Sequence, residues 1–194
     1  MHELIFQTDW GWVGVAATGR GVRAIVLPKP TRRAVERELM SGELLAGVGA
    51  RRAVPLPAET NMTARHGRAA RTAIIAYLQG KARSFDLPLD LQGQPRFRLK
   101  VWEVLQRIPY GRVRSYGWVA RKVGKPKATR AVGAACGANP VPLLVPCHRV
   151  IGGDGSLGGF SGGLGVKKRL LRLEGLSTGR GASRRAWGGR VEKK

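Results

Sequence analysis

The residues Pro146-Cys147-His148-Arg149, continuing into Val150-Ile151, hold the most reactive chemistry in this chain. A cysteine thiolate is a strong nucleophile, and a histidine beside it can manage its proton. The chain has two cysteines in 194 residues, too few for a disulfide framework. Cys147 therefore reads as a reduced thiol in a reducing compartment. Cys136 reads as a small packed residue. A bare Cys-His pair is more often structural than catalytic, so its surroundings must decide. A carboxylate can orient the imidazole. The acids after residue 94 are Glu103, Asp154, Glu174 and Glu192. Glu174 closes the last helical run and is the candidate partner.

Just upstream lies a pair of short helices. Ser115 caps the first, which carries Trp118, Val119 and Val123 and stops at Gly124. The second runs from Ala128 to about Gly137. Two short helices joined by a Gly-containing turn read as a helix-turn-helix. In the second helix Arg130 is the one long charged side chain, among Ala131, Gly133, Ala134 and Ala135. A major-groove reader offers several long polar side chains. Small residues instead let a backbone lie close to DNA, and a lone Arg can fill the space of an extruded base. The same face would equally pack against another helix. The stretch Gly158-Gly159-Phe160-Ser161-Gly162-Gly163 is either a simple turn or a set of backbone N–H groups aimed at a base edge.

Other elements must position these residues. Leu4–Phe6, Trp12–Ala16 and Val22–Leu27 read as strands, with a tight turn at 18–21. Thr31 caps a helix bearing Val35 and Leu39. Residues 47–63 hold Gly47, Gly49, Pro55 and Pro57 and read as a loop. Residues 64–80 read as a helix with Ala69, Ala73, Ile74, Tyr77 and Leu78 on one face. The run 87–91 alternates like an edge strand. Phe97, Val101, Val104, Leu105 and Ile108 mark a helix stopped by Pro109-Tyr110-Gly111. Lys167 to Leu173 is a last helix burying Leu170, Leu171 and Leu173. These boundaries give a β-rich part over 1–92, a helical part over 93–176 and a basic tail, read as disordered, over 177–194.

The net charge is +23, unevenly spread. Residues 95–176 carry 16 basic and 3 acidic side chains, against 13 and 8 over residues 1–94. That central block is the expected contact for a polyanion. No apolar run approaches the ~20 residues of a membrane span. With no signal-peptide pattern, a soluble cytoplasmic protein is expected.

The stretch from Phe97 to Gly175 resembles the O6-alkylguanine-DNA alkyltransferases. The resemblance rests on Val101-Trp102 with Ile108-Pro109-Tyr110-Gly111, Ser115-Tyr116, Arg130-Ala131-Val132-Gly133 with Asn139-Pro140, and the Pro146–Ile151 motif. The loop Gly159–Leu164 and Lys168…Glu174 follow at matching spacing. It implies an α+β fold: a ribonuclease H-like N-terminal antiparallel sheet with helices, then a helical, winged helix-turn-helix-like domain. It implies transfer of an alkyl group from O6 of guanine, and from O4 of thymine, onto Cys147, once per molecule, with the base flipped out from the minor groove. His148 would take the thiol proton through a water, and Glu174 would orient His148. Asn139 would brace the turn before the cysteine segment. Tyr116 would aid base rotation, and Arg130 would intercalate. Ser115, Ala131, Gly133 and Ala134 would lie on DNA. Ser161 would contact the O6 side, the backbone of Cys147 and Val150 the exocyclic amine, and Phe160 would stack where relatives often carry Tyr. No cofactor and no metal are implied; residues 1–94 hold no cysteine and only His2 and His66. The implied partner is double-stranded DNA carrying O6-alkylguanine, met by a monomer. A lesion sensor without chemistry would carry another residue in place of Cys147. A cysteine hydrolase would want an oxyanion hole and no basic helix-turn-helix.

Overall fold

Three strands open the chain: β1 (His2–Thr8), β2 (Gly11–Thr18) and β3 (Gly21–Lys29). They form an antiparallel meander in the order β1-β2-β3. The structure is a computed structural model that describes residues 1–41 and 57–177, with side chains in the second helix described from residue 61 onward. Two compact units are present: residues 1–94 with Pro140–Leu144, and 95–139 with the chain from Val145 onward.

In the first unit, α1 (Arg32–Met40) and α2 (Pro57–Leu78) cover opposite faces of the sheet. Val35 and Leu39 of α1 join Ala16, Ala24 and Val26 in one cluster. The opposite face takes α2, where a side chain at Gly67 would run into His2 and Leu4. Coverage on both faces explains why β2 and β3 are almost continuously buried and do not alternate. As the sequence suggests, Thr31 caps α1, its hydroxyl accepting from Ala34 N at 3.2 Å.

Several expectations need correction here. The expected loop over 47–63 lies outside the described residues up to 56, and from Pro57 it is helix. Proline is tolerated in a first helical turn, because its missing N–H has no partner there anyway. The buried stripe of α2 is Thr63, Gly67, Ala70, Ile74, Tyr77 and Leu78, with Ala73 half-buried and Ala69 exposed. The run 87–91 is no full strand. It makes a single parallel bridge, with Val22 N donating to Pro88 O at 2.8 Å and Asp90 N to Val22 O at 2.9 Å. Asp90 is the buried acid among the described residues of this unit, accepting from Thr18 Oγ1 at 2.7 Å and pairing with Arg20 and Arg23.

The second unit comprises α3 (Arg96–Gln106), β4 (Arg114–Ser115), α4 (Tyr116–Lys122), α5 (Thr129–Gly137), β5 (Val150–Ile151) and α6 (Gly163–Leu173). The helix pair α4–α5 is the expected helix-turn-helix. Ser115 caps α4 by accepting from Trp118 N at 3.1 Å. Trp102 of α3 is fully buried, and its indole N–H donates to Ala135 O at 2.8 Å, pinning α5. The short β4 and β5 pair in parallel and seat the segment that follows Cys147. The last helix starts four residues before Lys167. Its buried face is Lys167, Leu170 and Leu171, whereas Leu173 is only half-buried. Only Ser177 of the tail 177–194 lies inside the described residues.

Candidate active site

Cys147 opens a short 3-10 turn, Cys147–Arg149, between the end of the apolar run and β5. Such a turn directs three consecutive side chains in three directions. Cys147 is 3% exposed and lines a pocket. His148 and Arg149 are turned into the core, where both meet Glu174.

Behind the thiol lies a chain of hydrogen bonds. Asn139, placed by the end of α5, donates Nδ2–H to Val145 O at 2.8 Å and to Cys147 Sγ at 3.2 Å. It therefore fixes the cysteine segment and also favours a negative sulfur. His148 Nε2 lies 2.8 Å from Glu174 Oε1. A carboxylate only accepts, so the imidazole proton sits on Nε2 and Nδ1 is the basic nitrogen. Glu174 also accepts from Arg149 Nε at 3.0 and 3.1 Å and from Gly111 N at 2.9 Å. Gly111 has φ +69, a backbone state that favours glycine, and it aims that N–H at the acid. Arg149 is held in turn by Ile108 O at 2.7 Å. Tyr110 anchors the end of α6, donating to Leu173 O at 2.7 Å.

Burial sets the protonation states. It pushes the Cys147 thiol up, against the Asn139 hydrogen bond and the Lys167 charge, which pull it down. It pulls His148 down, so the imidazole is neutral at pH 7 despite Glu174. Burial would raise Glu174, but the hydrogen bond from the His148 N–H and the charge and hydrogen bonds of Arg149 hold it at about 2. The arrangement is a neutral base on a permanent carboxylate, next to a thiol that ionises only when its proton has somewhere to go.

The pocket has a volume of about 510 Å³. Tyr116, Arg130, Gly133, Cys147, Phe160 and Ser161, all named from the sequence, meet on its wall. Tyr116 is pushed up to about 12 by burial and by the two thiols, so it keeps its donor proton. Gly158 has φ +63, and a Cβ there would stand 2.8 Å from the Tyr116 hydroxyl; the glycine lets this loop close on the ring. On α5 the exposed side chains are Thr129, Arg130, Ala131 and Ala134, whereas Val132, Ala135 and Cys136 face inward. The small-residue face is thus a surface of the unit, with Arg130 standing on it. Val150 is buried in β5, and its carbonyl accepts from Lys167 Nζ at 2.6 Å. Ser115 acts here as the α4 cap.

Sequence reasoning missed three participants. Cys136 is packed as its small size suggests, and it also lines the pocket wall. Arg149 braces Glu174. Lys167 is fully buried, donates to Val150 O and Leu157 O, and is pulled down to about 8 by desolvation against the pull of both thiols. Its signal was present: a lysine at i, with Leu170 and Leu171 at i+3 and i+4, occupies a core position.

Residues 96–176 match the family model described as 6-O-methylguanine DNA methyltransferase, DNA binding domain. The methylated-DNA–protein-cysteine methyltransferase of Mycolicibacterium paratuberculosis is 54% identical over 99 residues, which are 51% of this chain and 59% of that protein. The protein of the same name from Methanosarcina barkeri is 45% identical over 121 residues, 62% of this chain and 76% of its own length. The chain belongs to the methylated-DNA–protein-cysteine methyltransferase family. Among solved structures, Mycobacterium tuberculosis OGT in complex with DNA is 34% identical, with a TM-score of 0.67 and coverage of 90% of this chain and 92% of that one. The O6-methylguanine-DNA methyltransferase of Pyrococcus kodakaraensis is 28% identical, with a TM-score of 0.64 over 89% and 98%. The family's α+β fold is the one expected from the resemblance. Both structures cover nearly the whole chain, so the likeness extends beyond the matched domain to the β-rich unit.

Proposed function

We propose that this chain repairs DNA by moving an alkyl group from O6 of guanine in double-stranded DNA onto its own Cys147, once per molecule. The observation that carries this is the position of Cys147. It lines a pocket roomy enough for a base, beside the exposed, small-residue helix α5, while Asn139, His148 and Glu174 stand behind it. The basic block over 95–176 holds the phosphates, and the small residues of α5 lie in the minor groove. Arg130 fills the gap left by the flipped guanine.

In the pocket Phe160 stacks on the base and Ser161 faces O6. The Val150 carbonyl has a second lone pair beyond the one Lys167 uses, and it takes the exocyclic amine. Cys147 gives its proton, through a water, to His148 Nδ1, and Glu174 stabilises the imidazolium. The sulfur then attacks the alkyl carbon. The C–O bond breaks, its electron pair returns to the base, and the Tyr116 hydroxyl donates toward the ring. The thioether is stable, so the molecule is spent. O4 of thymine offers the same kind of leaving oxygen and is a second substrate. The protein works as a monomer in the cytoplasm, and the 177–194 tail adds only electrostatic affinity.

The test is intact mass after mixing with a duplex containing O6-methylguanine. The protein should gain one methyl group. Tight binding with unchanged mass would make it a lesion sensor.

A further inference from the structure

The mechanism above uses one of the chain's two cysteines. Both, Cys136 and Cys147, are free thiols, and both line the same pocket. Asn139 touches each of them. Its backbone N–H donates to Cys136 O at 3.4 Å, and its Nδ2–H donates to Cys147 Sγ at 3.2 Å. The wall around the sulfurs is small, with Gly133 and Gly137 beside Cys136. Burial, and after it the Cys147 sulfur, pushes the Cys136 thiol up to about 12, and burial pushes Cys147 up as well; Tyr116 feels both thiols, and the Lys167 ammonium pulls both back down.

We propose that the pocket is also a modification site, in which Cys136 and Cys147 close a reversible disulfide under peroxide. The Cys147 thiolate, favoured by Asn139, attacks one oxygen of hydrogen peroxide and becomes a sulfenic acid, releasing hydroxide. Cys136 then attacks the sulfenic sulfur, the S–S bond forms, and a second hydroxide leaves. The two thiol protons neutralise the two hydroxides. Two thiols and one peroxide thus give one disulfide and two waters. The bond consumes the attacking sulfur and crosses the space a base would enter. Cys136 thereby works as a resolving thiol, keeping Cys147 from the irreversible sulfinic state. The consequence for repair rests on the reading of Cys147 as acceptor; the disulfide itself does not.

The experiment is mass spectrometry of the full chain, without DNA, after stoichiometric hydrogen peroxide. The wild type should lose the mass of two hydrogen atoms and yield one cross-linked peptide joining Cys136 to Cys147, and dithiothreitol should restore both thiols. In Cys136→Ser, Cys147 should instead be trapped by dimedone and progress to sulfinic acid. Wild-type protein that gains oxygen at Cys147 while Cys136 stays open to iodoacetamide would overturn the proposal. Equal rates of Cys147 over-oxidation in wild type and Cys136→Ser would overturn it too. Neither readout depends on alkyl transfer, so failure here and failure of the acceptor reading are separate results.

Discussion

Among the described residues, each unit buries one carboxylate against arginine, and the two acids do different things. Asp90 is 3% exposed and Glu174 4% exposed, and both are held below the ordinary carboxylate range. Asp90 ties a strand end to a loop: its partners are Thr18, Arg20, Arg23 and the backbone of Gln92. Glu174 has an arginine and a backbone N–H too, but its remaining oxygen contact is His148. A buried ion pair by itself is weak evidence of function. What separates the two is whether the carboxylate polarises a group next to a nucleophile.

Mutating the two acids tests that difference most strongly. Glu174→Gln should slow transfer on the order of 100-fold, the scale of losing proton management in the reaction. Asp90→Asn should lower the melting temperature yet leave transfer per folded molecule unchanged. Single-turnover rates with folded fractions from circular dichroism measure both. A transfer defect in Asp90→Asn matching that of Glu174→Gln would erase the contrast.

Arg130 sharpens the comparison within the second unit. It lines the pocket and is exposed, unlike Arg149, which is buried on Glu174. Arg130→Ala should slow transfer from duplex DNA on the order of tenfold, since base extrusion costs a few kcal/mol. Transfer from free O6-benzylguanine, where nothing must be flipped, should barely change. Equal slowing on both substrates would make Arg130 a support for the fold or the thiolate.

Acid should act on both carboxylates with one sign. Glu174 titrates near 4.5 when unfolded and at about 2 when folded. Its contribution is complete above the unfolded value and is lost as pH falls from there through about 2. The loss should reach a few kcal/mol, and Asp90 adds to it in the same direction. Urea titrations between pH 6 and about 3 should show falling stability; in Glu174→Gln the fall should be shallower. An unchanged slope would mean that Glu174 is not held as an anion.

The smallest effects concern the helix caps. Thr31 and Ser115 make the same contact, accepting from the third residue onward at 3.2 and 3.1 Å. Each change to Ala should cost about 1 kcal/mol of stability. Only Ser115→Ala, at the start of the helix-turn-helix, should also weaken DNA binding, read by fluorescence anisotropy. Equal DNA affinity in the two variants would reduce Ser115 to a cap alone.

The legible parts of the sequence were those with local signals. Caps at Thr31 and Ser115, glycine stops such as Gly124 and the strand turns follow from neighbours in the chain. The cysteine motif and the Arg130 helix were legible because few residue types suit that chemistry. What stayed hidden depends on distant packing. Pro57 starts a helix where a proline-rich stretch looked like loop. Leu87–Leu91 alternates like a strand but finds a partner only at Val22. Lys167 reads as a solvated charge unless its place in the i, i+3, i+4 stripe outweighs its type. Cys136 reads as packing alone because nothing in its helix says that it shares a pocket with Cys147.

The proposed repair reaction requires that Cys147 accept the alkyl group. The most direct measurement uses a duplex bearing O6-methylguanine with an isotopically labelled methyl, followed by peptide mapping of the wild type and Cys147→Ser. The label should sit on Cys147 in the wild type, and Cys147→Ser should bind the duplex with no label anywhere. Label on Cys136, or transfer that survives in Cys147→Ser, would contradict the account.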